Sequence, residues 1–169
     1  GLGIGHIGHL VQIPRAENAA AAALQPDYWT VFNDEKAAEA ADASRNVGRV
    51  QNLLARIETK GDTFYRGHEG GFDAADVLAV ADRLDAREGG RFAGITTFPA
   101  LLFDVEKGKV TPTRNLDTLK TAAEALAKAG RRDIEINAPG TNSSIVLSAL
   151  AEAGATQVEP GHGLTGTTP

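Results

Sequence analysis

The stretch LAKAGRRDIEINAPG, residues 126–140, contains the end of one structural unit and the start of the next. Its first residues are typical of a helix, Gly130 is placed to end that helix, and DIEINA (133–138) is typical of a short strand. LAEAGATQVEPG, residues 150–161, has the same order of helix, Ala-Gly, loop, strand and Pro-Gly. The two stretches therefore predict a repeated unit in which a helix leads into a strand.

Strand-like and helix-like segments alternate along the rest of the chain. Besides 133–138, apolar and β-branched runs predict strands at residues 9–14, 28–32, 62–67, 92–98 and 156–159. Apolar residues spaced by three and four predict helices over 34–57, after Asp73, over about 116–126, and from Ser143 or Ser144 to Gly154. Strict alternation favours an α/β fold with a parallel sheet, either a barrel or an open doubly wound sheet.

The length of the chain limits a barrel interpretation. A complete (β/α)8 barrel takes about 250 residues, whereas this chain has 169. About six βα units would form roughly three quarters of a barrel, beginning near its third strand. Such an incomplete barrel has two unpaired sheet edges.

Composition excludes several classes of protein. The net charge of -5 and the lack of a basic stripe argue against nucleic-acid binding. The chain has no cysteine, which excludes disulfides and thiolate chemistry, and no apolar run of the roughly 18 residues that a membrane helix needs. We therefore expect a cytoplasmic protein without nucleic-acid or membrane partners. Because the first residue is Gly1 rather than Met, we also expect a preceding segment.

Polar and glycine-rich loops follow the predicted strands, where the sites of parallel α/β folds lie. Two of these loops, APGTNSS and PGHGLTGTT, follow the strands at 133–138 and 156–159. Backbone N–H groups at such positions favour an anion, so the two loops together could hold a phosphate, although the glycines could equally form tight turns. The candidate residues are Gly140, Thr141, Asn142, Gly161, His162 and Gly163.

Two other motifs suggest other ligands. Gly3, Gly5 and Gly8 fit Gly-x-Gly-x-x-Gly, but a dinucleotide site needs a strand before the motif and a helix after it, so we do not expect one here. The four histidines could instead form a metal site with Glu69 and Glu159; they are His6, His9, His68 and His162. This reading predicts a metal-dependent hydrolase or aldolase on a TIM barrel.

Several motifs together resemble those of one known family. They are GHIGHLVQIP, GHEGGF, GITTFPALLFD, INAPGTNSS and VEPGHGLTGTTP, and they span essentially the whole chain. These motifs are similar to those of the YhfX family, which belongs to the alanine racemase-like, fold-type III enzymes that use pyridoxal 5′-phosphate (PLP). The resemblance implies an incomplete (β/α)8 TIM barrel of the alanine racemase N-terminal-domain type.

The resemblance also implies roles for particular residues. Glu159 falls where related decarboxylases place the carboxylate that pairs with the pyridine nitrogen, whereas alanine racemases carry an arginine there, which argues against simple alanine racemase chemistry. Gly161 and His162 would contact the phosphate, with His162 in place of the decarboxylases' arginine. Gly140, Thr141 and Asn142 would form the opposite side of the phosphate cup. His68 resembles the histidine that stacks on the cofactor ring.

A lysine that forms a Schiff base with PLP lies on the first barrel strand of this fold. All six lysines here fall in helix-like or loop-like stretches, namely Lys36, Lys60, Lys107, Lys109, Lys120 and Lys128. We therefore expect the Schiff-base lysine upstream of Gly1. The resemblance also implies a C-terminal β domain beyond Pro169 and a homodimer in the full-length protein.

The resemblance favours a PLP-dependent enzyme that acts on an amino acid or amine through an α-carbanion, as a racemase or epimerase, a decarboxylase or a lyase. Glu159 and His68 are its candidate catalytic residues, and the chain alone would be inactive. Two alternatives are the metal-dependent hydrolase or aldolase and a non-catalytic PLP-binding protein of the same fold.

Overall fold

A curved parallel sheet forms the centre of the molecule in the computed structural model, which describes residues 3–159. Within these residues the strands are β1 (His6–Ile7), β2 (Tyr28–Val31), β3 (Gln51–Glu58), β4 (Phe72–Asp73), β5 (Gly90–Thr96), β6 (Leu101–Asp104), β7 (Lys109–Pro112) and β8 (Glu135–Asn137). The main sheet has the spatial order β1-β2-β3-β5-β8, with all neighbours parallel. Gln157 extends the sheet by a parallel bridge to Asn137, β4 pairs with the end of β3, and β6 and β7 form an antiparallel hairpin.

Helices connect the parallel strands. They are α1 (Asn18–Ala23), α2 (Asp34–Asn46), α3 (Val77–Asp85), α4 (Arg114–Lys128) and α5 (Leu147–Glu152), with 3-10 turns at Arg15–Glu17 and Ala74–Asp76. None of the helices in residues 3–159 is long and apolar enough to cross a lipid bilayer. The α/β class and the incomplete parallel barrel expected from the sequence are thus confirmed.

The two faces of the sheet differ in chemistry, because successive side chains of a strand point to opposite faces. On one face, buried apolar strand residues join the helices in a single core; they include Trp29, Val31, Leu53, Ala55, Ile57 and Ile95. The residues that alternate with them are largely polar, and the strand register places them side by side; they include Tyr28, Thr30, Asn52, Arg56, Thr96 and Asn137. Apolar burial therefore attaches the helices, while the opposite face carries polar groups.

The sheet curls strongly toward its polar face. His6 lies on the first strand of the sheet and Glu159 follows the last paired residue, five strand spacings away. In a flat sheet that separation would be roughly 24 Å, but His6 Nδ1 lies 2.8 Å from a Glu159 carboxylate oxygen. Tyr28 similarly donates a hydrogen bond of 3.0 Å to Glu135 across two intervening strands. The polar face is therefore the inside of an incomplete barrel.

The sequence predicted the start of the helix before β3 but not its end. The expected helix over residues 34–57 is wrong beyond Asn46, since Gly48 has a φ of +76° and residues 51–58 form β3. β3 is the central strand and buries Leu53, Leu54, Ala55, Arg56 and Ile57 on both faces. Their apolar spacing therefore does not alternate as in a half-buried strand, which explains why it resembles a helical pattern.

Two predicted strands are wrong as well. The expected strand at 9–14 is irregular, and the first strand is the shorter pair His6–Ile7. The expected strand at 62–67 is a loop, whose Thr63 amide donates to the Asn115 side chain rather than to a neighbouring strand.

Strands were confirmed within 28–32, 92–98 and 133–138, but only Gln157 of 156–159 pairs with the sheet. The hairpin of β6 and β7 was not anticipated. Two predicted helix ends hold, since Gly130 and Gly154 both have positive φ. The predicted cap at Ser143 or Ser144 does not, because α5 begins at Leu147 with no side-chain cap.

Asp73 caps the start of the turn that leads into α3, as the sequence predicted. Its carboxylate accepts a 2.9 Å hydrogen bond from the Ala75 amide. We expect Asp73→Ala to lower the free energy of unfolding by about 1 kcal/mol, since one amide loses its partner. Asp76→Ala removes an equally exposed carboxylate from the same turn, where no capping bond exists, and serves as the control in urea denaturation. Equal losses in both variants would contradict the capping role.

Candidate functional site

Polar side chains gather where the strands of the main sheet end, and we call this region the mouth. The contributing residues are His6 of β1, Thr30 of β2, Arg56 of β3, Thr96 of β5, Asn137 of β8, and Glu159 beyond Gln157. Apart from His6 and Glu159 these residues are buried. The carboxyl ends of parallel strands are where ligands bind in barrels, so the mouth is the candidate site.

Glu159 is the centre of a hydrogen-bonded network in the mouth. His6 Nδ1 lies 2.8 Å from Oε1 of Glu159, and Nε2 of the same ring lies 2.6 Å from the Thr30 hydroxyl. The Asn137 amide donates to the same Oε1 at 3.0 Å and to the Thr96 hydroxyl at 3.2 Å. Contacts from two strands of the sheet, β1 and β8, therefore fix the position of the Glu159 carboxylate.

The electrostatics of the mouth favour a charged Glu159 beside a neutral His9. Burial acts to raise the pKa of the Glu159 carboxyl, but it is outweighed by hydrogen bonds from His6 and Asn137 and by the positive charge that the two histidines carry when protonated at acid pH, so this pKa is below its ordinary value. Burial lowers the pKa of His9 to about 4, against the opposing effect of Glu159. At neutral pH the site therefore presents a carboxylate and an uncharged imidazole.

Arg56 is a fully buried cation at the end of the central strand. Its guanidinium donates to the backbone carbonyls of His9, at 3.4 Å, and His68, and it lies 4.7 Å from the ring centre of Phe32. Burial lowers the pKa of Arg56 to about 10, which still leaves it charged at neutral pH. Arg56 thus ties the loops after β1 and β3 together at the mouth.

His68 lies ten residues beyond the end of β3, in a half-buried position on the loop. Its ring centre lies 6.1 Å from that of Phe98 and 6.2 Å from that of Tyr65. Phe98 in turn meets His9 edge-to-face at 5.6 Å. His68 therefore belongs to an aromatic group at the mouth, next to but apart from the Glu159 network.

The loop after β8 lies beside Glu159. The Asn142 side chain donates to the Glu159 backbone carbonyl at 2.7 Å. The Thr141 amide donates to Leu101, and the Asn142 amide donates to Gly140, each at 2.9 Å. A Cβ on Gly140 would lie 2.5 Å from the Leu101 carbonyl oxygen, so glycine is required there by the approach of the hairpin. Two amides expected to face a phosphate are thus used inside the chain.

Other predicted ligand residues have different positions. Gly161, His162 and Gly163 lie outside the described residues. His6 and His9 converge with Glu159, but His68 does not join them and the Glu69 carboxylate accepts from the Gly67 amide at 2.7 Å. No helix follows directly after Gly8 within the described residues.

None of the six lysines, all within the described residues, lies at the end of a strand in the main sheet. They are Lys36 on α2, Lys60 in an exposed position two residues beyond β3, Lys107 and Lys109 on the hairpin, and Lys120 and Lys128 on α4.

Sequence reasoning missed Thr30, Arg56 and Asn137 as members of the site. A signal existed for Arg56, since an arginine interrupts the otherwise apolar run LLARI at 53–57. Reading that run as a helix hid the signal, because an arginine on a helix is ordinarily solvated. Thr30 and Asn137 carry no such signal, since threonine and asparagine near strand ends are common in any fold.

Comparisons with solved structures show the same fold. D-threonine aldolase from Filomicrobium marinum superposes with a TM-score of 0.66 at 17% identity, over 94% of this chain and 43% of that one. PipY of Synechococcus elongatus, solved with PLP bound, gives 0.62 at 16% identity, over 92% of this chain and 66% of that one. A lysine/ornithine decarboxylase from Vibrio vulnificus gives 0.55 at 15% identity, over 89% and 40%.

Comparisons of sequence identify the family. The chain is 42% identical to YhfX of Escherichia coli (strain K12) over all 169 of its residues, which span 44% of the length of YhfX. The family described as "Alanine racemase, N-terminal domain" matches residues 4–169. This chain therefore belongs to the alanine racemase N-terminal domain family, as its motifs predicted.

Proposed function

We propose that this chain is the PLP-binding barrel portion of an enzyme that acts on an amino acid or an amine at the α-carbon. The observation that carries the proposal is the position of Glu159, an ionised carboxylate fixed by His6 and Asn137 in the mouth of the barrel. Membership of the alanine racemase family and the likeness to PipY, which was solved with PLP, support it.

The polar groups of the mouth suit a ligand such as PLP. Several buried polar atoms have no hydrogen-bond partner among the described residues, namely His9 Nε2, Arg56 Nε, His68 Nδ1, Thr97 Oγ1 and Asn137 Oδ1. A buried polar atom without a partner is costly. A bound polar molecule could supply the missing partners, and PLP carries a phosphate, a phenolic oxygen and a ring nitrogen.

Glu159 would accept a hydrogen bond from the protonated ring nitrogen of PLP. Its contacts to other side chains of the described region all use Oε1, which leaves Oε2 to face a ligand. When bound, PLP withdraws electrons from the substrate's α-carbon, and a carboxylate that keeps the ring nitrogen protonated strengthens this effect. His6 and Asn137 would keep the carboxylate charged and oriented.

The remaining predicted residues would hold the cofactor by its ring and phosphate. His68 would lie against the ring, where it already packs near Phe98. Gly140 and Asn142 would shape the wall next to Glu159, and the Thr141 hydroxyl would face the phosphate together with Gly161 and His162. We propose that the lysine that anchors PLP is supplied from outside this chain.

The first test uses the full-length gene product purified without added cofactor. We expect a visible absorption band that shifts when a suitable amino acid is added, and exchange of that amino acid's α-hydrogen with deuterium from the solvent. Glu159→Gln should slow the exchange by roughly 100-fold or more, the size of effect typical of a removed electrostatic group. Glu152→Gln removes an exposed carboxylate seven residues earlier and should leave the rate unchanged.

The same experiment separates the alternatives. A band without deuterium exchange for any amino acid or amine would favour a non-catalytic PLP-binding protein. A colourless protein that gains no band on addition of PLP would contradict the proposal altogether. Equal exchange rates in Glu159→Gln and the unmodified protein would contradict the role given to Glu159.

A further inference from the structure

Three potential metal ligands converge in the mouth, on segments far apart in the chain. One ring nitrogen each of His6 and His9 and one carboxylate oxygen of Glu159 all lie within 4.8 Å of one another. His6 Nδ1 lies 2.8 Å and His9 Nδ1 lies 3.5 Å from the same oxygen, Oε1 of Glu159. Because both histidines approach the same carboxylate oxygen, the three residues form one cluster rather than two separate pairs.

The spacing suits a small divalent ion. Zinc binds imidazole nitrogen and carboxylate oxygen at about 2.0–2.2 Å, so two ligand atoms of a tetrahedral site lie roughly 3.3 Å apart. The two distances to Oε1 fall on either side of that value. We propose that His6, His9 and Glu159 bind a divalent transition-metal ion, with zinc as its representative, and leave one coordination position open to water or a ligand.

His9 is the residue that the chain's own contacts explain least. It is only 7% exposed, yet neither of its ring nitrogens has a hydrogen-bond partner among the described residues. The distance of 3.5 Å to Glu159 is too long for a hydrogen bond of ordinary strength. A metal ion between the two groups would satisfy the buried nitrogen.

Neighbouring groups already hold two of the three ligands, His6 and Glu159, in place. If His6 coordinates through Nδ1, its proton lies on Nε2, which can donate to the Thr30 hydroxyl 2.6 Å away. Asn137 donates to the Glu159 carboxylate, which restricts its rotation. Hydrogen bonds of this kind orient metal ligands and raise affinity. The ion would lie between His6 Nδ1 and Glu159 Oε1, which are 2.8 Å apart in its absence.

This site is independent of the proposed function, although both use Glu159. The metal ion would bind Oε1, whereas the cofactor nitrogen is proposed to meet Oε2, so each proposal can be tested without the other. The test therefore uses metal alone, with no PLP present, and its failure would leave the PLP proposal untouched.

The experiment is a zinc titration of the purified chain after treatment with a chelator. We expect one zinc ion per chain by isothermal titration calorimetry and by elemental analysis after gel filtration. His9→Ala and Glu159→Gln should each weaken binding by more than about tenfold, because each removes a ligand. His68→Ala is the matched control, since it removes an imidazole at the same mouth but outside the cluster, and it should retain binding.

Two results would overturn the proposal. One is the absence of stoichiometric zinc in the folded chain, and the other is an affinity in His9→Ala equal to that of the unmodified chain, which would indicate adventitious surface binding. Circular dichroism checks that the variants are folded. If His9→Ala does not fold, substitution of cobalt into the unmodified chain decides: intense visible bands of a four-coordinate nitrogen and oxygen site support the proposal, and weak octahedral bands contradict it.

Discussion

Gly94→Ala is expected to destabilise the chain by more than about 3 kcal/mol, at the upper end of the cost of overpacking. Gly94 lies in β5 and pairs with Leu54 on one side and Glu135 on the other. A Cβ at this position would lie 2.0 Å from the Glu135 carbonyl oxygen, which is far inside van der Waals contact. β8 would have to move away from β5, and the mouth residues that follow both strands would move with them.

The effect is measured by urea denaturation followed by circular dichroism. Gly5→Ala is the control, because a Cβ on Gly5 meets nothing within 4 Å, and we expect a change of less than about 0.5 kcal/mol there. A loss below 1 kcal/mol in Gly94→Ala would mean that β5 and β8 are not packed as closely as described. Comparable losses in both variants would contradict the role given to the close approach of Glu135, since no neighbour crowds Gly5.

The contrast between β3 and β8 explains how much of this fold the sequence predicts. β8 lies between a clear helix end at Gly130 and a Pro-Gly turn, so local signals define it. β3 is buried on both faces and packs residues such as Leu53 against helices and Leu54 against the barrel interior. The apolar pattern of β3 depends on neighbours that are distant in sequence, so its local periodicity does not identify it as a strand. The parallel sheet followed from alternation alone, whereas the identity of the central strand did not.

The residues of the mouth also divide into those that local sequence signals predict and those that depend on distant contacts. The rule that neighbouring parallel strands end at one edge predicted that the loop of Asn142 would face the loop after residues 156–159. Asn142 does donate to the Glu159 carbonyl, while the predicted partners Gly161, His162 and Gly163 lie outside the described residues. The contact between His6 and Glu159 depends on curvature, which brings the first and last strands of the sheet together. Arg56 was missed because its burial depends on aromatic and carbonyl partners from separate loops. Sequence patterns therefore place residues at the edge of a sheet but do not tell which of them meet.

The stability of the chain is expected to fall as the pH is lowered from about 6.5 to about 4, because of His9. In the unfolded chain the imidazole has its ordinary pKa of 6.5, whereas burial lowers the pKa of folded His9 to about 4. Between these values the unfolded state binds more protons, so lowering the pH favours unfolding. At about 1.4 kcal/mol per pKa unit, the loss across this window is about 3 kcal/mol. Glu159, whose folded pKa is lowered, loses its contribution only below its ordinary value of 4.5.

His9→Gln should remove most of this dependence, because an amide does not titrate. The free energy of unfolding is measured by urea denaturation at intervals between pH 7 and pH 4.5, a range in which the contribution of Glu159 stays constant. Val11→Gln changes an exposed residue of the same loop and should keep the full slope of the unmodified chain. If His9→Gln retains that slope, the buried neutral imidazole is not the source of the pH dependence. The assignment of His9 as an uncharged neighbour of Glu159 would then be wrong. If the slope disappears, His9 is buried and uncharged in the folded chain, which is the state required both for a neutral wall beside PLP and for a metal ligand.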